Sequence, residues 1–151
     1  MSESNPVALA RACAESMYAR DTASQELGIT VDSVGPGTAT LSMVVNERKL
    51  NGHGICHGGL IFTLADTAFA FACNSYNVNT VAQHCQISFL APARLGDRLT
   101  AVATEIHKSG RNGLYDIRVT NQNGEHIAEF RGASRQIKGA VIAGNEGETP
   151  S

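Results

Sequence analysis

One carboxylate interrupts the most apolar segment of the chain. Residues 58–73 contain no charged side chain other than that of Asp66. A helix that is apolar on all sides is normally buried, and a carboxylate inside it loses solvation at a cost of several kcal/mol. Catalysis is one reason for a protein to keep such a group, so Asp66 is the first candidate catalytic residue. A hydrogen-bonded structural role is the alternative.

The loop before this segment has the residues of an oxyanion-binding turn. Positions 51–59 are Asn-Gly-His-Gly-Ile-Cys-His-Gly-Gly and lead into the helix at Gly58. The N–H groups of a first helical turn lack partners within the helix, and the helix dipole adds partial positive charge there. Gly58 and Gly59 also let a substrate approach the backbone closely, although such a pair can serve only as a tight turn. With Asp66, the loop indicates attack on an acyl carbonyl.

Gly58 and Asp66 cannot act on one carbonyl from the same helix. Their separation in sequence corresponds to roughly 12 Å along a helix axis. If two copies of the helix run antiparallel across a two-fold axis, Gly58 of one copy faces Asp66 of the other. The chemistry therefore predicts a dimer with two equivalent sites at its interface.

Length and composition indicate one globular domain. The chain has 151 residues, of which 42% are hydrophobic and 17% are charged, enough to bury a single core. We expect the domain to span residues 1–138, with an N-terminal helical region at 1–22 and a disordered tail at 139–151. The net charge of −2 disfavours nucleic acid and membrane surfaces as partners. The N-terminus has no pattern of a secretory signal, so we expect a cytoplasmic protein.

The cysteine and histidine residues raise the question of a metal. The four cysteines form no CxxC pair, and we interpret them as reduced, buried side chains. A zinc site is the alternative for a set of imidazole and thiol groups that comprises His53, Cys56, His57, His84 and Cys85. The usual spacings of zinc ligands are missing, so we expect neither a metal nor another cofactor.

Hydrophobic periodicity predicts one further helix and six strands around the apolar helix. Asn5 and Pro6 have the types of an N-cap and a first helical residue, and apolar residues at helical spacing follow them. Alternation predicts a hairpin of strands at 27–34 and 38–45, then strands at 81–89, 99–106, 114–120 and 127–137. About six antiparallel strands curling round one apolar helix make an α+β fold.

Three motifs together resemble a known family. They are positions 51–59 with Asp66 downstream, Gly-Arg-Asn-Gly-Leu-Tyr-Asp at 110–116, and Asn-Gln-Asn-Gly-Glu at 121–125. They are similar to motifs of the hot-dog-fold acyl-CoA thioesterases of the phenylacetic-acid-degradation (PaaI-like) group. The resemblance implies a long central helix wrapped by a curved antiparallel sheet, sites shared across a dimer interface, and dimers that pair into tetramers.

The resemblance also implies a role for each residue of the candidate site. The N–H of Gly58 would polarise the thioester carbonyl, and Gly59 would shape the loop. Asn51 would orient the water or the thioester, and His57 would position the substrate, although both can instead serve only the loop. Asp66 of the partner subunit would be a general base or a nucleophile that forms a mixed anhydride.

The expected substrate adds further candidates. Coenzyme A carries phosphates, and the basic residues that we expect near them are Arg94, Lys108 and Arg111, which can equally be ordinary surface charges. Thr67, beside Asp66, is a candidate substrate-binding residue. We expect an acyl pocket between the helices and the sheet, lined by Phe62, Leu64, Phe69 and Cys73.

The sequence therefore predicts a homo-oligomeric, cofactor-free thioesterase that hydrolyses an aryl- or phenylacetyl-type acyl-CoA to the free acid and coenzyme A. A hot-dog hydratase or dehydratase is one alternative, but those enzymes place a His with an Asp or Glu where this chain has Gly58, Gly59 and Asp66. The other alternative is a non-catalytic acyl-CoA-binding domain, in which Asp66 would have little purpose.

Overall fold

The computed structural model describes residues 5–143. The α-helices within that range are α1 (Pro6–Arg20), α2 (Thr22–Glu26) and α3 (Gly58–Cys73). The strands are β1 (Thr30–Gly35), β2 (Thr38–Val44), β3 (Thr80–Phe89), β4 (Arg98–Ser109), β5 (Asn112–Thr120) and β6 (His126–Gln136).

Helix α1 begins as its sequence predicts. The side chain of Asn5 accepts hydrogen bonds from the N–H groups of Val7 (3.0 Å) and Ala8 (3.2 Å), and Pro6 is the first helical residue. Proline is favoured there because the N–H that it lacks would have no partner within the helix. The inward face of α1 buries Cys13 and packs against β1.

The six strands form one antiparallel sheet that wraps α3. Their order is β1-β2-β4-β5-β6-β3, and every strand contacts the helix. Small residues on α3 let the helix lie close to the sheet, and those with no exposed surface are Ala65, Ala68 and Ala72. The alternating residues of β2 that face the helix are Ala39, Leu41 and Met43, all buried as expected. The predicted α+β hot-dog architecture is confirmed.

The first strand starts later than predicted. A short helix, α2, takes up residues 22–26, where the side chain of Asp21 accepts a hydrogen bond from the N–H of Ser24 (3.0 Å). Gly28 then turns the chain with a φ of 73°, in the left-handed region that favours glycine. The predicted strand from residue 27 is therefore wrong over its first three positions, because a capped helix and a turn precede β1.

The remaining predicted strands are found with small shifts at their ends. Strand β4 runs on to Ser109, because its ladder with β5 continues to the pair Ser109 and Asn112 beside the turn. The predicted hairpin between β5 and β6 is also confirmed. Asn121 closes its turn by accepting hydrogen bonds from the N–H groups of Asn123 (3.0 Å) and Glu125 (2.9 Å).

Helix α3 is not covered on every side by its own chain, which corrects the expectation of full burial. A stripe along it remains partly exposed and consists of Gly59, Phe62, Thr63, Asp66 and Ala70. These positions recur every three or four residues and so share one face. Asp66 lies in the middle of this face rather than inside the core.

Strand β3 borders the open side of the helix. Within the described residues it pairs with β6 alone, so its other edge has free backbone groups. Large apolar side chains at its two ends are exposed, Val81 by 45% and Phe89 by 53%. An open edge next to an open helix face is a surface that a further chain can cover.

The C-terminal segment is packed for a few residues beyond the predicted domain end. The carbonyl of Gly139 accepts a hydrogen bond from the N–H of Asn79 (2.9 Å), and the N–H of Ile142 donates to Asn77 Oδ1 (2.8 Å). The rest of the predicted tail, 144–151, lies outside the described residues. None of the helices in the described range has the length and apolar character needed to cross a membrane.

Candidate active site

His57 caps the N-terminus of α3. Its Nδ1 accepts a hydrogen bond from the N–H of Gly59 (3.3 Å), and its carbonyl accepts from Leu60 (3.0 Å) and Ile61 (3.3 Å). Because Nδ1 is an acceptor, the neutral ring carries its proton on Nε2. The N–H of His57 donates to the carbonyl of Lys49 (2.8 Å), which ties the cap to the preceding turn.

Gly58 has the one N–H of this first turn that is left open. Among residues 5–143, no acceptor lies within hydrogen-bond distance of it, whereas the next three N–H groups all bond to His57. An unpaired N–H at the positive end of a helix is suited to hold a developing oxyanion. Gly59 has its N–H occupied by the cap, and its role in shaping the turn for a substrate stays a prediction.

The side chain of Asn51 organises the loop before the helix. Its Oδ1 accepts hydrogen bonds from the N–H groups of His53 (2.9 Å) and Ile55 (3.3 Å). This geometry is the turn-stabilising role that was the alternative for Asn51. Its amide nitrogen has no acceptor among the described residues, and it is the atom left for a water or a thioester.

Arg94 lies beside this loop. It forms an isolated antiparallel bridge with Ile55, and the adjacent Ala93 carbonyl accepts a hydrogen bond from the N–H of Cys56 (2.8 Å). The side chain of Arg94 is exposed. Of the three basic residues singled out in the sequence, Arg94 is thus the one at the N-terminal end of α3.

Lys108 and Arg111 are at the opposite end of the helix. Lys108 places its ammonium group 4.7 Å from the centre of the Tyr76 ring, a cation–π contact. With Arg111 and Cys73, Lys108 lines a shallow depression beyond the last turn of α3. The helix length separates this depression from Gly58 by roughly 22 Å along the axis.

Asp66 stands without a partner. Among the described residues its carboxylate accepts no hydrogen bond and forms no ion pair, and burial raises its pKa above the ordinary value. Burial also raises the pKa of the Cys73 thiol to about 12, with a smaller contribution in the same direction from the charge of Asp66. The half-buried Cys85 has its pKa raised by the same two causes. Both thiols therefore stay protonated at neutral pH and are poor nucleophiles.

Thr67 does not contribute a donor to Asp66. Its hydroxyl donates to the carbonyl of Thr63 (2.7 Å), one turn back along the helix, and its side chain is turned toward the core. The Thr67 hydroxyl is therefore engaged within its own helix, and its substrate contact stays a prediction. The helical period sets Thr67 about 100° round the axis from Asp66.

Most of the predicted acyl pocket is core. Leu64, Phe69 and Cys73 are at most 3% exposed, and the rings of Phe69 and Tyr115 pack edge to face with centroids 5.6 Å apart. Of the four, Phe62 alone reaches the open face of α3. Its ring packs against that of Phe130, with the ring centroids 5.2 Å apart. Only Phe62 is therefore accessible to an acyl group in this structure.

Two features next to Gly58 were missed by the sequence analysis. The ring of Phe89 lies against Gly58, and a cavity of about 400 Å³ opens on the other side of the turn. Its lining consists of Arg48, Lys49, Leu50, His57, Gly59 and Leu60. Alternation placed Phe89 at the end of a strand, but nothing in the sequence indicated its contact with the helix.

A larger cavity of about 500 Å³ lies elsewhere, between α1 and β1. It holds none of the residues discussed above, and its charged groups are the exposed Arg11, Glu15 and Asp32. Size alone therefore does not identify the site. Within residues 5–143, no three His, Cys, Asp or Glu side chains come together as a metal-binding group.

One chain thus carries two groups of a candidate reaction centre, and these two groups do not meet. An open N–H at Gly58 can stabilise an oxyanion, and the carboxylate of Asp66 can act as a base or a nucleophile. Both belong to the unbroken helix α3, so they stay roughly 12 Å apart along its axis.

Comparisons with known proteins give a family match and a similar relative. Residues 53–128 match the sequence family described as the thioesterase superfamily. The chain is 46% identical over 128 residues to the acyl-coenzyme A thioesterase PaaI of Escherichia coli strain K12, which covers 85% of this chain and 91% of that relative.

Solved structures with the same fold include that relative. The structure of the E. coli PaaI protein, from the phenylacetic acid degradation operon, superposes with a TM-score of 0.87 at 45% identity and covers 89% of this chain and 97% of its own. A Streptococcus mutans protein, smu.793, was solved bound to acetyl-CoA. It superposes with a TM-score of 0.71 at 27% identity, covering 74% of this chain and 90% of its own.

Proposed function

The chain belongs to the thioesterase superfamily, and we propose that it is an acyl-coenzyme A thioesterase that releases a free acid and coenzyme A. The observation that carries this proposal is the open N–H of Gly58 on the same helix as the unpaired carboxylate of Asp66. Acyl transfer to water needs those two groups, an oxyanion donor and a base or nucleophile. A 46% identical relative is an acyl-coenzyme A thioesterase.

The working site is formed by two copies of the chain. Gly58 and Asp66 are too far apart on α3 to reach one carbonyl, as the helical rise requires. The open face of α3 and the free edge of β3 adjoin each other, and an antiparallel second copy placed there brings its Asp66 toward Gly58. The same contact covers the exposed Val81 and Phe89. Pairing of such dimers into a tetramer is part of the proposal.

The reaction begins with the thioester carbonyl oxygen at the N–H of Gly58. Asp66 of the other copy either takes a proton from water as the water attacks, or attacks the carbonyl itself to give a mixed anhydride that water then opens. Both routes require an ionised Asp66. As the C–S bond breaks, its electron pair leaves with sulfur, and a thiolate needs little help to depart because thiols are acidic compared with alcohols.

The other residues of the loop hold this geometry. His57 caps α3 with its Nδ1 and so fixes the orientation of the neighbouring Gly58 N–H. Asn51 closes the preceding turn and keeps a free amide nitrogen on that side. Arg94 adds positive charge beside the loop. Lys108 and Arg111 lie near the other end of α3, which an antiparallel partner would bring to the Gly58 end.

An aryl acyl group is the preferred substrate in this proposal. The E. coli relative comes from a phenylacetic acid degradation operon. On this chain, two aromatic rings border the open face of α3: Phe62 is partly exposed on the helix, and Phe89 lies against Gly58. Rings in those positions offer edge-to-face or stacked contacts to an aryl group next to the carbonyl.

Release of free thiol from a panel of thioesters tests the proposal. Phenylacetyl-CoA, benzoyl-CoA and butyryl-CoA are each incubated with the wild type and with Asp66→Asn, which keeps the size of the side chain and removes its charge. We expect thiol release by the wild type, fastest with an aryl substrate, and a loss of at least about 100-fold in the variant. Binding of these thioesters without thiol release would instead indicate a non-catalytic acyl-CoA-binding domain.

A further inference from the structure

Lys49 is a buried lysine beside the proposed site. Its residue surface is only 4% exposed, although lysine is almost never fully buried without a partner. It ends the single 3₁₀ turn at Glu47–Lys49, and its carbonyl accepts the hydrogen bond from the N–H of His57. Lys49 is thereby fixed directly behind the cap of α3.

The ammonium group of Lys49 has no counter-ion among residues 5–143. Among residues 5–143 it forms no hydrogen bond and no ion pair, and the neighbouring Glu47 is exposed. No described residue has a fully buried side-chain nitrogen or oxygen that lacks a hydrogen bond. The ammonium group must therefore emerge from the protein at the end of its buried stem. Burial lowers the pKa of Lys49, against a smaller opposite effect of Cys56.

Lys49 is one of the residues that line the cavity of about 400 Å³ next to the cap. The exposed Arg48 is a second cation in its lining, and Leu50 and Leu60 supply apolar walls. His57 and Gly59, which shape the turn at Gly58, complete it. Two cations and the positive end of a helix converge there, and none of the lining residues is acidic.

We propose that this cavity binds an anionic group of the thioester substrate, with Lys49 as its counter-ion and Arg48 at the entrance. The inference rests on the proposed thioesterase function, since the cavity adjoins the expected carbonyl position. The cations of Lys49 and Arg48 and the positive end of α3 attract an anion there, and no acidic residue of the lining competes with it. Two groups have this chemistry: a phosphate of coenzyme A, and a carboxylate at the far end of an acyl chain.

Substitution of Lys49 by methionine tests the proposal. Methionine keeps the length and apolar character of the stem and removes the charge, and Lys138→Met at an exposed site is the matched control. Four thioesters separate the sources of the anion. They are phenylacetyl-CoA and glutaryl-CoA, and the same two acyl groups on N-acetylcysteamine, which carries no phosphate.

We expect Lys49→Met to lower kcat/KM about tenfold or more for every thioester that carries the anion, and to leave the others within about twofold. A loss with both coenzyme A thioesters alone identifies the phosphate. A loss with both glutaryl thioesters alone identifies the carboxylate. Two results would overturn the proposal. One is a kcat/KM of Lys49→Met equal to that of the wild type for all four thioesters. The other is a similar loss of kcat/KM for all four, including neutral phenylacetyl-N-acetylcysteamine.

Binding and stability measurements keep the proposal separate from the hydrolase function. Calorimetry with coenzyme A and with glutarate, on the wild type and both variants, reports anion binding without turnover. One outcome is a wild type that hydrolyses none of the thioesters, while Lys49→Met still weakens the binding of coenzyme A or glutarate about tenfold. In that case the anion site stands and the thioesterase proposal fails. We also expect Lys49→Met to unfold at no lower a temperature than the wild type, because methionine keeps the apolar stem packed.

Discussion

The ring of Phe89 rests on Gly58: a Cβ built on Gly58 would lie 3.1 Å from Cζ of that ring and 3.3 Å from Cε1. The last residue of β3 thus covers the first residue of α3. Any side chain at position 58 must push aside the ring of Phe89, which is 53% exposed in the single chain. The contact with Phe89 explains why position 58 has a residue without a side chain. The N–H of Gly58, which donates no hydrogen bond within residues 5–143, gives a reason for the chain to keep this arrangement.

Two substitutions at Gly58 separate its N–H from its lack of a side chain. Alanine and proline both add a Cβ against Phe89, but proline also removes the N–H. Proline is tolerated because position 58 begins α3, and His57 at φ −62° and ψ 130° has the conformation favoured before proline. We expect Gly58→Pro to have a kcat about 100-fold or more below that of Gly58→Ala.

Two controls report damage to the turn. One is the unfolding temperature of both variants. The other is the variant Gly52→Ala, at a loop glycine whose added Cβ has no atom near it. Equal kcat values for the alanine and proline variants would remove the Gly58 N–H from the mechanism.

Phe89 is expected to set the preference for aryl substrates. Phe89→Leu keeps an apolar side chain but removes the ring, so we expect the ratio of kcat/KM for phenylacetyl-CoA to that for butyryl-CoA to fall about five- to tenfold. Leu90→Ala, at the next position and 54% exposed, is the control and should keep the ratio. An unchanged ratio in Phe89→Leu, with the oligomer intact by light scattering, would place the acyl group elsewhere.

His57 is expected to act through its cap rather than through its imidazole. His57→Ala removes the acceptor for the N–H of Gly59, which should cost about 1 kcal/mol of unfolding free energy and lower kcat. His57→Asn supplies another good capping acceptor. We therefore expect its stability to return and its kcat to lie within a few fold of the wild type. Restored stability together with a large loss of kcat would show that the ring itself contacts the substrate.

Ionised Asp66 is expected to lower the stability of the fold while it is required for activity. Its pKa is raised by burial, so the folded state binds the proton more tightly than the unfolded state. Stability therefore falls as pH rises from about 4, the ordinary value for aspartate, through the raised value. Asp66→Asn carries no such loss.

Thermal unfolding of the wild type and Asp66→Asn over a range of pH checks this expectation. The variant should melt higher at pH 7, with the difference vanishing below pH 4, while kcat/KM of the wild type rises with pH through the raised value. A variant that melts lower than the wild type at pH 7 would mean that the charge has a stabilising partner.

The fold was readable from the sequence because its elements depend on local patterns. The Asn5 cap, the alternation along β2 and the Asn121 turn each act over a few residues, and each was predicted. The error at the start of β1 came from α2, a helix of one turn whose Asp21 cap is a weak signal.

Only part of the candidate site could be predicted from the sequence, because the rest depends on contacts between distant segments. The open N–H of Gly58 follows from its place at a helix start, but the contact with Phe89 joins residues that sequence spacing does not relate. The burial of Lys49 likewise arises from packing, since lysine in a turn is ordinarily exposed. Thr67 turns toward the core because neighbours in a helix point in different directions, and spacing next to Asp66 did not indicate this.

Complementation between two inactive variants tests most directly the claim that each site uses two copies of the chain. Gly58→Pro and Asp66→Asn are purified, mixed in equal amounts under conditions that exchange subunits, and assayed for thiol release. Random pairing makes half of the dimers mixed, and each mixed dimer has one site with both groups intact, so activity should recover to about a quarter of the wild type. Activity that stays at the average of the two separate variants after verified exchange would contradict a shared site.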